Sequence, residues 1–238
     1  ARANAKVGSI PTEAADEITK KASVKYVNIE RVKAIEKEIG HDLMAMVRAL
    51  SEVCGESGKW VHFGATSYDI EDTALALQIR EAIDILQQKL DELEGVLLDL
   101  SSRYRDQAMP GRTHGVHAAP ITLGLKFTVW LREVSRHIER LNECRKRILV
   151  GKMSGPVGTG AGFGPRMFEI QDTVMKELEL RSAEVSTQII QRDRHAEFIS
   201  LLALIASSLD KFATEIRNLQ RPEIAELAEP FEFGKQVG

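Results

Sequence analysis

Three stretches of the sequence place apolar residues at alternating intervals of four and three, which is the pattern of a coiled-coil seam. They cover residues 79–104, 127–141 and 198–219. Predicted helices of roughly 30–40 residues would each be on the order of 45–60 Å long, because an α-helix rises about 1.5 Å per residue. Strand signals are nearly absent, since no hairpin turn lies between alternating segments. The sequence therefore predicts an all-α, long-helix bundle that buries further apolar surface against other subunits.

The first part of the chain has shorter helical patterns, and Gly40 is predicted to break one of them. We expect a small N-terminal helical region over residues 1–65 and a long-helix bundle domain over residues 66–238. The sequence begins without Met inside a predicted helix and ends in a predicted loop. We therefore expect the first region to be incomplete at its start and the second at its end.

Composition argues against several classes of protein. The net charge of −3 supplies no basic field for nucleic acid or an anionic membrane, and aromatic residues make up only 5%. The two cysteines, Cys54 and Cys144, have neither disulfide nor metal-ligand spacing, as expected in a reducing cytosol. No apolar run approaches the roughly 18 residues of a membrane span. We expect a cytoplasmic protein that binds neither nucleic acid nor membrane.

Two polar clusters lie at predicted helix starts. His41 and Asp42 begin one helix, and spacing alone also fits a surface histidine beside a helix-start acid. In "HFGATSYDIEDTA" (62–74), Thr66 or Ser67 can cap the first long helix, with Glu71 near the position of a capping-box acid. The exposed N–H groups and hydroxyls of such a helix start also bind carboxylate or phosphate.

Two further clusters lie between the long helices. In "GRTHGVHAAP" (111–120), His114 is suited to give a proton to a leaving amine, although a structural turn histidine fits as well. His114 and His117 lack a third metal ligand nearby. The glycines of "GKMSGPVGTGAGFG" (151–164) lack a nucleotide-fold context and are interpreted as allowing close backbone approach. "TQIIQRDR" (187–194) precedes the third seam, where such runs are commonly solvated or contact a subunit.

The order of these clusters carries a resemblance. The series "HD", "HFGATSYD", "GRTHGVHAAPITLGLK", "GKMSGPVGTGAG", "TQIIQRD" and "EPFEFGKQVG" resembles the adenylosuccinate lyase family of the aspartase/fumarase superfamily, over essentially the whole chain. The resemblance implies a helical homotetramer with composite active sites and no metal or organic cofactor. It also implies β-elimination of fumarate from adenylosuccinate, giving AMP, and from the succinyl-carboxamide ribotide of purine biosynthesis.

The resemblance also implies roles for individual residues. His114 matches the general acid that protonates the departing nitrogen, and the remaining positions match substrate contacts. Thr66 and Ser67 match hydroxyls that hold a carboxylate of the succinyl group, His41 and Asp42 match a pair near the nucleotide, and His62 matches a histidine close to the phosphate. The other contacts are Thr113, Gln188 and, more weakly, Lys152 and Ser154.

The base implied by the resemblance is a serine that comes after a segment like "EPFEFGKQVG", and this sequence ends at Gly238. We therefore expect the base to lie in a longer parent protein and the 238-residue chain alone to be inactive. Ala119 stands where the family often has Glu, which weakens a histidine–carboxylate relay near His114. Two alternatives stay open: another superfamily member, such as an argininosuccinate lyase, a fumarase or a cycloisomerase, and a non-catalytic helical assembly module.

Overall fold

The computed structural model describes residues 1–229 and Gly234, and α-helices account for most of them. The helices are α1 (Arg2–Lys6), α2 (Thr12–Lys21), α3 (Ile29–Ile39), α4 (Asp42–Val53), α5 (Ser67–Arg103), α6 (Leu123–Ile148), α7 (Met167–Leu178) and α8 (Asp193–Leu219), with 3₁₀ turns at Gly55–Trp60 and Ala161–Arg166. The strands are β1 (Ala108–Thr113), β2 (Val116–Thr122), β3 (Val150–Gly151) and β4 (Arg181–Ser182). The predicted all-α long-helix class is confirmed.

The chain divides into two compact units, Ala1–Glu81 with Arg147–Asp193, and Ala82–Lys146 with Arg194–Gly238. We call them unit 1 and unit 2. The predicted division between residues 65 and 66 stays a prediction. Over the described residues, none of the helices combines the length and the apolar character that crossing a bilayer requires.

Unit 1 contains the short helices α1 to α4 and α7, and two apolar clusters can be described within it. Val32 and Ile35 of α3 pack with Ala45 and Ala49 of α4. Gly40 ends α3 in the left-handed conformation, with φ of 65°, which confirms the predicted break. The parallel pair β3–β4 lies over a second cluster formed by Val150, Ala183 and Ile190.

Unit 2 contains most of α5, together with α6 and α8. Ile83, Leu90 and Leu97 of the predicted seam are buried at intervals of seven residues. Contacts along α6 join it to both other helices: Arg145 pairs with Asp84 of α5 at 2.6 Å, and the Trp130 ring stacks on Phe212 of α8 at 4.7 Å between centroids. Burial every seventh residue matches one of the two alternating positions of the predicted seam. In the α8 seam the prediction is wrong at Leu209 and Ile216, which are exposed.

Two helix lengths differ from the prediction of roughly 30–40 residues. The first long helix, α5, has 37 residues, but α6 has 26 and α8 has 27. Residues 108–122 form a hairpin before α6 begins. Before α8, the backbone N–H of Ile190 donates to Asp72 Oδ2 at 2.7 Å. Both preceding segments thus use backbone groups in contacts outside a helix and do not extend α6 or α8 to the predicted length.

The β1–β2 hairpin corrects the expectation that strands would be nearly absent. The ladder pairs Thr113 with Val116, which leaves His114 and Gly115 as a two-residue turn. Their φ values are 54° and 75°, and positive φ at both positions is the requirement of a type I′ turn. Asn or Asp usually supplies the first position, so a histidine there conceals the hairpin from sequence reasoning.

A buried polar layer joins α6 to α8 within unit 2. Ser208 Oγ donates to Glu133 Oε1 at 2.6 Å and lies 2.8 Å from His137 Nε2. Burial lowers the pKa of His137 below its ordinary value of 6.5; Arg140, Arg136 and Lys211 lower it further, whereas Glu133 opposes them. The ring of His137 therefore resists protonation in the folded protein.

We expect acid to destabilise the protein partly through His137. In the unfolded chain this ring takes up a proton near its ordinary pKa, whereas the buried ring does not, so stability falls as the pH drops below about 6.5. The melting temperature of the full-length protein should fall more between about pH 8 and about pH 5.5 than that of a His137→Gln variant. If the melting temperatures of the two proteins fell equally over this pH range, the proposed contribution of His137 would be contradicted.

Candidate active site

The start of α5 in unit 1 is fixed by a capping box. Ser67 is the first helical residue, and the backbone N–H of Thr66 donates to Asp69 Oδ2 at 2.9 Å. A carboxylate three residues after the cap position is the standard acceptor for this N–H. The acid of the capping box is therefore Asp69, and the suggestion from the sequence that Glu71 fills it is wrong. The Thr66 side chain is left free for other contacts.

Asp69 also binds the glycine-rich segment, and its side chain is fully buried. Its Oδ1 accepts from Lys152 Nζ at 2.5 Å and from the backbone N–H of Ser154 at 2.9 Å, while Oδ2 accepts from the N–H of Gly155 at 3.1 Å. Thr73, one turn along α5, exchanges hydrogen bonds with the backbone of Lys152. These contacts fix residues 152–155 against the first two turns of α5.

This arrangement bears on the two weaker predicted contacts. The Lys152 side chain is fully buried against Asp69, and Ser154 Oγ lies 2.8 Å from Ser186 Oγ. Both residues therefore have structural partners here, and their predicted contacts with substrate stay predictions. The interpretation of the glycines is confirmed at Gly158: its φ is 83°, and a Cβ would lie 2.0 Å from the Ser186 carbonyl oxygen.

A pocket of about 420 Å³ in unit 1 brings four of the predicted residues together. His41, Asp42, Ser67 and Gln188 line it, beside Glu36, Gly40, Tyr68 and Glu71. Gln188 Nε2 also donates to Thr66 Oγ1 at 3.3 Å, so Thr66 adjoins the same group. Because that hydroxyl oxygen accepts from Gln188, its proton remains available to a ligand oxygen.

His41 is the N-cap of α4, and its Nδ1 accepts from the backbone N–H of Met44 at 3.4 Å. A neutral imidazole that accepts at Nδ1 carries its proton at Nε2. Asp42 Oδ1 accepts from the N–H of Leu43 at 2.7 Å. Both side chains are exposed, and His41 can offer the Nε2 proton to a ligand in the pocket.

The lining of the pocket is acidic. Glu36, Asp42 and Glu71 line it, and the described residues contribute no lysine or arginine to the lining. Burial raises the pKa of Glu71, and the neighbouring charges of Asp42 and Asp72 raise it further. An anionic ligand here would need cationic groups from outside these lining residues.

His62 is not among the residues that line this pocket; it lines a different and largely apolar cavity of about 220 Å³. Its φ is 65°, and burial lowers the pKa of its ring, while Asp69 opposes that shift. Asn4 lines the same cavity. The structure thus does not bring His62 to the lining of the His41 pocket, and its predicted phosphate contact stays a prediction.

His114 and Thr113 lie in unit 2, at the tip of the β1–β2 hairpin. Every residue from 113 to 120 is exposed, and His114 is the first residue of the turn. An exposed histidine at the tip of a hairpin is open to a ligand or to another polypeptide. A cleft of about 900 Å³ runs beside the hairpin, and Thr113 and Gly115 line it.

Sequence reasoning missed two acids that organise unit 1, Asp69 and Asp72. Asp72 is buried, accepts from the N–H of Ile190, and pairs with Arg192 at 2.9 Å. The guanidinium of Arg192 in turn lies 5.7 Å from the centroid of the Tyr68 ring. The available signal was the interval of three residues from Thr66 to Asp69, which is the spacing of a capping box. The predicted base, and the segment 230–238 that would precede it, lie outside the described residues apart from Gly234.

Comparison with known proteins gives the family. The family model described as "Lyase" matches residues 1–238. The adenylosuccinate lyase of Pyrococcus abyssi is 57% identical over 238 residues, covering 100% of this chain and 53% of that protein. A crystal structure of fumarate lyase from Mesorhizobium sp. BNC1 matches with a TM-score of 0.91 and 39% identity, covering 96% of this chain and 54% of that one.

A crystal structure of 3-carboxy-cis,cis-muconate lactonizing enzyme from Pseudomonas putida matches with a TM-score of 0.88 and 33% identity, covering 94% of this chain and 52% of that one. The chain spans about half the length of the curated relatives it matches. Since the family model covers every residue of the sequence, the chain belongs to the lyase family that this model describes.

Proposed function

We propose that the protein containing this chain releases fumarate from adenylosuccinate by β-elimination, giving AMP, and acts in the same way on the succinyl-carboxamide ribotide in purine biosynthesis. The observation that carries the proposal is the group at the start of α5, where Ser67, His41 and Gln188 line one pocket beside the Thr66 hydroxyl. Hydroxyl, amide and imidazole donors at a helix N-terminus suit a carboxylate. The names of the curated relatives support adenylosuccinate as the substrate.

In the proposed reaction, a base takes a proton from the carbon next to a carboxylate of the succinyl group. The electron pair is held by that carboxylate until the carbon–nitrogen bond breaks and the double bond of fumarate forms. Thr66, Ser67 and Gln188 would donate hydrogen bonds to the developing negative charge. His114 would give its proton to the departing nitrogen, so the amine leaves neutral. The base would be the serine expected beyond Gly238.

The acidic lining of the pocket supports a composite site. Adenylosuccinate is an anion, and the described lining of the His41 pocket offers three carboxylates without a lysine or arginine. Cationic groups must then come from elsewhere in the protein or from neighbouring subunits. We therefore propose a homotetramer in which the exposed His114 hairpin serves a site shared between subunits.

Exposed apolar residues on the long helices support the same assembly. Ile85, Val96 and Leu98 of α5 are 64%, 55% and 59% exposed, and Ile199 of α8 is 62% exposed. Apolar side chains repeated along one long helix favour burial against another polypeptide. We propose that these faces are covered by other subunits of a cytoplasmic tetramer.

The test is fumarate release by the full-length protein with three substrates. We expect turnover of adenylosuccinate and of the succinyl-carboxamide ribotide, and none of argininosuccinate. Turnover of argininosuccinate alone would assign the protein to another branch. No turnover of any of the three by a correctly assembled protein would favour the helical assembly module, for which the exposed helix faces are the supporting observation.

We expect the Thr66 hydroxyl to contribute directly to substrate affinity. Thr66→Val removes a donor to a carboxylate, which is worth about 1.5–3 kcal/mol, or roughly a 10- to 150-fold loss in kcat/KM. Thr66→Ser keeps the hydroxyl and is the matched control. Both variants keep the backbone N–H that Asp69 accepts, so the cap of α5 is preserved. Equal kcat/KM for the two variants would contradict a substrate contact.

A further inference from the structure

The hairpin that carries His114 is joined to the chain after α8 by one ion pair. Arg112 lies in β1, two residues before His114, and its Nη1 donates to Glu226 Oε2 at 3.0 Å. Its Nη2 donates to the other oxygen, Oε1. The two side chains are 23% and 18% exposed. Two parallel hydrogen bonds between planar groups fix orientation as well as distance.

Both partners are themselves fixed in place. The backbone N–H groups of Glu226 and Leu227 donate to the carbonyl of Leu219, the last residue of α8, at 3.0 and 3.2 Å. Arg112 Nη2 lies 3.2 Å from Nε2 of His117, its cross-strand partner in β2. The guanidinium therefore contacts both sides of the hairpin and the chain that folds back on the end of α8.

The position of Arg112 along the hairpin gives this contact its importance. The ladder pairs Gly111 with Ala119 but Arg112 with His117, so Ala118 is an extra residue. Such a bulge bends the strands locally and redirects the part of the hairpin beyond it. Residues 113–120 are all exposed in the protomer, so packing within the described part of the protomer does not hold that distal part. Arg112 is the first residue on the distal side, and its side chain restrains the turn.

We propose that Arg112 and Glu226 are positioning residues that hold the His114 turn in the orientation needed for proton transfer to the leaving nitrogen. The proposal rests on the lyase function proposed above. Displacement of a catalytic group by about 1 Å can cost roughly 100-fold in rate, so restraint of an exposed turn has a direct kinetic consequence.

The ionisation of Glu226 favours a lasting contact with Arg112. The hydrogen bond from Arg112 is the largest cause that lowers the pKa of Glu226, and His117 and Lys126 lower it further, against burial. A lowered pKa keeps the carboxylate ionised, so the pair persists above the pH at which an unfolded glutamate would titrate and is lost only as the pH falls through the folded value.

The test uses Arg112→Met and Glu226→Gln in the full-length protein, with adenylosuccinate in deuterated water. We expect kcat to fall roughly 100-fold in each variant with little change in KM. When the acid is misplaced, the base still removes the carbon-bound proton, but the carbanion takes up a solvent deuteron instead of expelling nitrogen. Recovered substrate should therefore contain more deuterium per fumarate released. The double variant should be no slower than the singles, because each already breaks the same contact.

The matched control is Arg31→Met, which breaks another two-pronged Arg–Glu pair, with Glu52, outside the hairpin. It should keep the wild-type kcat and the wild-type deuterium ratio. A structural defect in the Arg112 or Glu226 variants would reduce active protein without changing that ratio. Such a result, or unchanged kcat in both variants, would overturn the positioning role while leaving the lyase function intact.

Amide hydrogen exchange separates failure of this inference from failure of the proposed function, since it needs no substrate. Exchange at Thr113–Val116 should accelerate in both variants and not in Arg31→Met. Unchanged exchange would overturn the restraint itself. A wild-type protein that turns over none of the substrates would overturn the lyase function, and with it the kinetic role of the pair.

Discussion

Asp69→Asn should destabilise the protein by about 3–5 kcal/mol, because it leaves a buried lysine without its counter-charge. Lys152 Nζ and Asp69 Oδ1 are 2.5 Å apart, and both side chains are fully buried. The substitution preserves the shape of the side chain and removes its charge. It also replaces one acceptor oxygen by an NH₂ group, so hydrogen bonds from the backbone N–H groups of Thr66, Ser154 or Gly155 are lost as well. At about 2–4 °C per kcal/mol for a domain of this size, the melting temperature should fall by roughly 6–20 °C. Calorimetry of the full-length protein measures it.

Lys152→Met should cost less than Asp69→Asn. The Asp69 carboxylate would keep the backbone N–H groups of Thr66, Ser154 and Gly155, whereas Lys152 Nζ has Asp69 as its partner in the described part of the chain. The double variant should be more stable than Asp69→Asn, since it no longer buries an isolated ammonium. A double variant less stable than either single one would show that the charge pair is not the source of the effect.

The exposed pair of Arg31 and Glu52 supplies the control for these measurements. Its side chains are 53% and 46% exposed, so water solvates either charge when the other is removed. Arg31→Met should therefore leave the melting temperature nearly unchanged. A large drop in the melting temperature of Arg31→Met would mean that the loss of any ion pair has this effect, whether or not the pair is buried.

The long helices were predictable because their signal is local and repeated. Ile83, Leu90 and Leu97 lie seven residues apart, and all three are buried as the seam requires. The break at Gly40 was predictable for a similar reason, because glycine adopts the left-handed conformation that ends α3. Periodicity and single-residue backbone preferences thus gave the class of fold and one element boundary.

The hairpin and the buried pair were not predictable in this way. The turn at His114 and Gly115 lacks the Asn–Gly or Asp–Gly sequence by which such turns are recognised. Asp69 and Lys152 are 83 residues apart, and no spacing rule connects them. For the candidate site, the order of motifs indicated Thr66, Ser67, His41 and Gln188, which the structure brings to one region of unit 1. Sequence reasoning did not predict the buried network of Asp69 and Lys152 beside them.

His114→Asn should reduce fumarate release by roughly 100- to 10,000-fold, the range expected when a general acid is removed. Asn suits the position because the residue has φ of 54°, and asparagine adopts positive φ at little cost. His114→Ala would remove the imidazole too, but a residue that disfavours this conformation would also disturb the hairpin. Asn thus separates loss of the acid from loss of the turn. Fumarate absorbance measures the rate.

Glu179→Asn is the control for the turn, because Glu179 is also exposed at φ of 54°, at the end of α7. It should keep full activity, and both variants should keep the wild-type assembly by light scattering. In deuterated water, His114→Asn should still place deuterium in recovered substrate, because the base acts before the acid. Wild-type turnover by His114→Asn would remove His114 from the chemistry. Loss of both turnover and deuterium uptake would mean that His114 acts in the earlier step, the removal of the carbon-bound proton. The two isotopic outcomes therefore assign the step in which this exposed histidine acts.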